Sequence, residues 1–157
     1  DQSFRRKFEH EIHLLKKNLK AVAAGIISGT LAGLCSILLM SKLFGFNHQE
    51  YVTMLPKSIT TAIGMGVSEE LGGIVTITVA VIIITGVLGN MIAEVVYKIA
   101  KIEEPIARGL GLGTSAHAIG TAKAMELGPV EGAMSSLAIA VAGLLTVVGA
   151  SVFAGMM

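Results

Sequence analysis

The chain has 157 residues, 53% of them hydrophobic and 15% charged, with no Trp and a mean hydropathy of +0.75. That balance is too apolar for a soluble domain of this length, so the expected fold class is an all-α integral membrane protein. The formal net charge of +1 offers no broad basic surface, and nucleic acid is not an expected partner.

Residues 1–20 form a basic arm. Arg5, Arg6, Lys7, Lys16, Lys17 and Lys20 are six of the chain's twelve Lys and Arg residues, and they immediately precede the first apolar stretch. The positive-inside rule puts such an arm on the cytoplasmic side. Phe4, Phe8, Ile12, Leu15 and Leu19 recur at helical spacing. One face is therefore apolar and the other basic, as in a helix lying at a membrane surface or one packing on its own protein. No signal-peptide pattern is present, and the chain begins at Asp1 rather than Met, so it reads as a fragment.

Residues 21–157 form the membrane domain. Three windows without Asp, Glu, Lys or Arg, at 21–41, 71–93 and 132–157, are each long enough for a transmembrane helix, which needs about 20 residues. The first carries Gly25, Gly29 and Gly33 on one helix face, a pattern that lets another helix approach closely within the subunit or in a homo-oligomer. Its lone Cys35 fits no metal-ligand spacing and is read as structural.

Two further windows without those residues, 58–68 and 109–122, are too short to span as straight helices and are rich in Gly, Ser and Thr. In the first, Pro56 disfavours helix at the residue before it and should leave free backbone groups near Lys57, Ser58, Thr60 and Thr61. A Lys in apolar surroundings beside hydroxyls reads as a ligand site. The competing reading has Lys57 snorkelling to the surface and the hydroxyls capping a helix.

The second segment is denser. Gly109, Gly111, Gly113 and Gly120 permit close backbone approach, Thr114, Ser115 and Thr121 supply hydroxyls, and His117 is the ionisable group among them. A helix starting near Thr114 or Ser115 would aim its positive dipole end at a solute. Gly111, Gly113 and Ala116 do not make a dinucleotide fingerprint, because no strand precedes them. Phosphate loops, metal clusters and nucleophile–base pairs are not apparent, so neither an enzyme nor a cofactor is expected.

Asn90, Glu94 and Lys98 follow one another at single-turn spacing, and Glu94 with Lys98 reads as an interfacial ion pair. Threading follows from charge. If both short segments are re-entrant hairpins, Lys98, Lys101, Arg108 and Lys123 join the arm on one side, with only Lys42 and Lys57 on the other. If both segments cross as broken helices, the bias nearly vanishes, so hairpins are preferred.

The two short segments also repeat. Residues 58–65 align with 118–125, sixty positions on, and Gly72, Ala80, Val81, Val87 and Gly89 recur as Gly132, Ala140, Val141, Val147 and Gly149. A hairpin plus one long helix makes a single net crossing, so successive copies would face opposite ways, as in the inverted repeats of many transporters. The expected architecture is three long spans plus two short broken or re-entrant segments in an internal inverted repeat.

The strings Pro56-Lys-Ser-Ile-Thr-Thr, Thr85-Gly-Val-Leu-Gly-Asn, Ala107-Arg-Gly-Leu-Gly-Leu-Gly-Thr-Ser-Ala-His-Ala-Ile-Gly-Thr-Ala and Glu131-Gly-Ala-Met-Ser-Ser-Leu resemble the LrgB/CidB family of bacterial membrane proteins. The resemblance implies a bacterial inner-membrane protein with additional amino-terminal helices. It also implies control of murein hydrolases and autolysis alongside a holin-like LrgA or CidA partner, and kinship with a plastid glycolate/glycerate transporter and pyruvate-uptake systems. Two functions are thus expected to compete: a small-monocarboxylate carrier using the two short segments, and a non-transporting antiholin-like regulator acting through a holin-like partner.

Overall fold

A computed structural model describes residues 2–157, which form seven helices and no strand. They are α1 (Gln2–Lys17), α2 (Leu19–Phe44), α3 (His48–Met54), α4 (Thr61–Glu70), α5 (Val75–Ile99), α6 (Pro105–Leu127) and α7 (Pro129–Ala154). Of these, α2, α5 and α7 are long and apolar enough to cross a membrane. They outrun the charge-free windows at ends bearing Lys20, Lys42, Glu94, Lys98 and Glu131, because a charge near a helix end reaches water without interrupting backbone hydrogen bonding. α5 starts later than its window because Gly72, at φ 81°, turns the chain before it.

The arm is helical as its periodicity requires, with Phe4 and Phe8 stacked at 6.2 Å. Leu15 touches the cluster of Val22, Ile26 and Ile106 that joins the starts of α2 and α6. Elsewhere the long helices turn apolar side chains outward: Ile84, Leu88, Met91, Val95 and Ile99 on α5, and Leu144, Val148 and Val152 on α7. Outward Leu, Ile and Val on long helices make the surface a bilayer covers.

The short helices form two hairpins on α5. In the first, α3 ends where Pro56 requires and residues 55–60 turn the chain into α4. Both feet stand at the start of α5. Thr53 Oγ1 accepts from Ile74 N at 2.8 Å, and Thr78 Oγ1 donates to the Thr53 carbonyl at 2.8 Å and shares a 2.7 Å bond with Ser68 Oγ. The tip reaches farther along, where Gly64 lies against Ile82.

The second hairpin is α6 itself, folded at His117 (φ 43°, ψ −135°). Residues 112 and 120 would stand about 12 Å apart in a straight helix. Instead a Cβ on Gly120 would lie 2.8 Å from the Leu112 carbonyl. Both limbs run along the end of α5: Tyr97 Oη donates to the Arg108 carbonyl at 2.7 Å on one, and Glu94 meets Lys123 at 2.5 Å on the other. At the tip, the His117 ring bonds the Ile82 carbonyl at 2.8 Å. The two hairpins therefore approach α5 from opposite ends and meet near Ile82.

Two sequence expectations are corrected here. Glu94 pairs with Lys123 across the hairpin rather than with Lys98, because the fold-back brings Lys123 beside α5. No helix starts at Thr114 or Ser115. Those residues close the first limb of α6, and their glycine neighbours are accommodated within helix by close packing on α7: a Cβ on Gly113 would lie 2.5 Å from the Ser135 carbonyl.

Candidate functional site

The two tips form the candidate site. Lys57, at the first tip, lines a cleft of ≈ 520 Å³ together with Thr85 and Gly89 of α5 and Gly111 and Ser115 of α6. Ser58 and Thr114 share a second, much smaller void with Thr30, Gly33 and Thr146. His117 follows Lys57 by sixty residues, the offset at which residues 58–65 align with 118–125.

α2 braces this meeting point through its small residues. A Cβ on Gly25 would come 2.9 Å from Leu110, one on Gly29 2.7 Å from Thr114 Oγ1, and one on Gly33 3.8 Å from Ser58 Oγ. The glycine row thus packs inside the chain, against both hairpins.

Lys57 is half-buried, and its Nζ donates to Ser58 Oγ at 2.7 Å. Among the described residues the ion pairs join Lys123 to Glu94 and to Glu126, so no carboxylate balances Lys57. An ammonium has three donors and Ser58 takes one, which leaves two for a solute. The hydroxyls of the other hairpin are differently committed: Ser115 Oγ, which lines the cleft, donates to the Gly111 carbonyl at 2.6 Å, and Thr114 Oγ1, in the small void, to the Leu110 carbonyl at 2.8 Å. Their protons being used, both oxygens present lone pairs. The cleft therefore offers a cationic donor on one hairpin and the Ser115 acceptor on the other, within walls that are otherwise mainly apolar.

The remaining candidates lie elsewhere. The His117 ring is buried against α5, where Gly86 makes room for it. Because a carbonyl only accepts, the ring nitrogen facing Ile82 carries a proton. Thr121 Oγ1 donates to the His117 carbonyl at 3.0 Å and shares a 2.7 Å bond with Ser135, holding the turn from within. Thr60 caps α4 by backbone position alone and Thr61 is its first residue; neither lines the Lys57 cleft. Gly120 packs on its own first limb. Among the described residues no group of three His, Cys, Asp or Glu side chains could hold a metal ion.

Sequence reasoning missed Thr85 and Tyr97. Both line the cleft, and the available signal was the small-residue spacing Thr85, Gly89, Ala93 on one face of α5.

The LrgB-like family matches residues 8–156 of the chain. The holin-like protein CidB of Staphylococcus aureus strain Mu50 is 37% identical over 132 residues, which is 84% of this chain and 58% of that protein. The holin-like protein CidB of Staphylococcus epidermidis strain ATCC 12228 is 38% identical over the same shares. The chain thus spans less than two thirds of the length of these relatives. No solved structure matches. With the family match covering nearly its whole length, the chain belongs to the LrgB-like family.

Proposed function

We propose that this chain is the solute-binding core of a carrier for small monocarboxylates of the pyruvate or glycolate type. The hairpins are read as two copies of an inverted repeat whose tips meet at membrane depth. The observation that carries the reading is Lys57, a half-buried cation without a carboxylate partner among the described residues, facing Ser115 across a cleft formed where two chain reversals meet.

One positive charge matches one carboxylate, and an apolar wall limits the cost of moving a short carbon skeleton through it. The oxygen of Ser115 suits a solute that donates a hydrogen bond, as a 2-hydroxy acid does. The carrier would sit in a bacterial inner membrane with its basic arm cytoplasmic, as the clustering of Lys16, Lys17, Lys20, Lys98, Lys101, Arg108 and Lys123 at one end of the bundle supports.

Uptake of labelled glycolate and pyruvate into proteoliposomes of the full-length protein tests this. Lys57→Ala should abolish uptake of both, and Ser115→Ala should weaken glycolate more than pyruvate. Equal uptake by wild type and Lys57→Ala would refute the reading.

The alternative is a non-transporting antiholin-like regulator of murein hydrolases and autolysis that acts through a holin-like partner. The holin-like character in the relatives' names favours it. The glycine row favours it less, because Gly25 and Gly29 already pack on the second hairpin, and the outward Leu, Ile and Val faces of α5 and α7 offer a partner or a second copy more surface. Replacing Ile84 and Val148, which are outward and do not line the Lys57 cleft, with Ala should then release the partner while leaving uptake intact.

A further inference from the structure

The cleft holding Lys57 does not end at the hairpin tips. It extends along α5 to Tyr97, and Tyr97 also lines a separate cavity of ≈ 360 Å³ at the arm end of the bundle. That outer cavity is formed by Lys98, Lys101 and Arg108 with Glu94 and Glu103. Glu94 is drawn off by Lys123 at 2.5 Å, so three cations face one remaining carboxylate.

Two local features hold these cations in place. Arg108 Nε donates to the Ile102 carbonyl at 2.8 Å, and its guanidinium lies 5.8 Å from the centre of the Tyr97 ring, whose hydroxyl bonds the Arg108 carbonyl. The Nε bond uses one of five guanidinium donors, so the group is oriented without being saturated. Lys101 sits at φ 55°, just past the end of α5, where Ile102 N reaches back to the Tyr97 carbonyl at 2.9 Å. Glycine is the residue that takes this helix-end position without steric cost, and the chain places a cation there instead.

Resting on the carrier reading above, we infer that Lys98, Lys101 and Arg108 form a second, outer carboxylate site that captures the anion at the arm face and hands it past Tyr97 to Lys57. A cleft with an excess of one sign of charge concentrates the opposite ion and raises its capture rate, by about tenfold here, an effect that salt screens. The site serves one face only, because its three cations all lie at the arm end of α5.

The test uses full-length protein in sealed vesicles of known orientation, with labelled pyruvate as probe and Lys98→Gln combined with Lys101→Gly as the variant. Arg108 stays, so the brace on Tyr97 is kept. If Lys101 served only to end the helix, glycine would stabilise the protein and leave transport unchanged. The inference expects KM from the arm face to rise about tenfold, with KM from the opposite face unaltered and the salt dependence of arm-face uptake flattened. Unchanged KM at the arm face, with wild type active and Lys57→Ala inactive, overturns the outer site and leaves the carrier reading standing. Absence of wild-type uptake removes both.

Discussion

The two hairpins do the same topological job with different local chemistry. The first turns over six irregular residues, 55–60, after a proline, and is fastened to α5 by hydroxyl–backbone bonds at its feet. The second turns at a single residue, His117, in a backbone conformation that costs a non-glycine residue roughly 1–3 kcal/mol. It is held by glycines pressed on α7 and by a ring bond to α5. A wide turn can offer its own side chains to a solute, and Lys57 faces the cleft. A tight turn spends its side chain on anchoring itself, and His117 reaches a carbonyl instead. On the proposed repeat, the two positions serve different ends, Lys57 open to the cleft and His117 tied to α5.

That contrast can be broken most sharply at the second hairpin's contact with α7. Gly113→Val would drive a side chain into the Ser135 carbonyl and the Ala138 methyl, and should cost about 3 kcal/mol or more, read as thermal unfolding of full-length protein in detergent. At the first hairpin the corresponding fastening is Thr78. Thr78→Val keeps the shape but strands the Ser68 hydroxyl and the Thr53 carbonyl, and should cost about 1–3 kcal/mol in the same assay.

The strain at His117 separates ring from backbone. His117→Ala and His117→Gly both lose the Ile82 bond, but glycine relaxes the positive φ. The glycine variant should be the more stable of the two by about 1 kcal/mol, and equal stability would show that the turn is unstrained. Gly66→Ala, in α4 with open space around it, is the smallest change: a gain of about 0.5–1 kcal/mol from helix propensity alone.

Much of this architecture was legible in the residues. Charge-free length marks the three long helices, Pro56 marks the first reversal, and the sixty-residue offset pairs Lys57 with His117. These are local or periodic signals. What sequence could not give was which surfaces face each other. Gly25, Gly29 and Gly33 look the same whether they receive a partner or their own hairpins. Glu94 is one turn from Lys98 and twenty-nine residues from Lys123, and only the fold-back of α6 decides between them. A helix start at Thr114 or Ser115 is not what the fold makes, because the glycines around them serve contact with α7 and Tyr97 within a continuous limb.

The central claim is that the tips meet, and a cross-link reads this directly. Ser58→Cys with Thr114→Cys, in full-length protein with Cys35→Ser and no other thiol, should be joined in native membranes by a short bifunctional thiol reagent, because both residues line one void. Thr60→Cys with Thr114→Cys should react far less. Failure of the 58–114 pair to join, with both thiols shown to be reactive singly, would mean that the hairpins do not converge and that the proposed site does not exist.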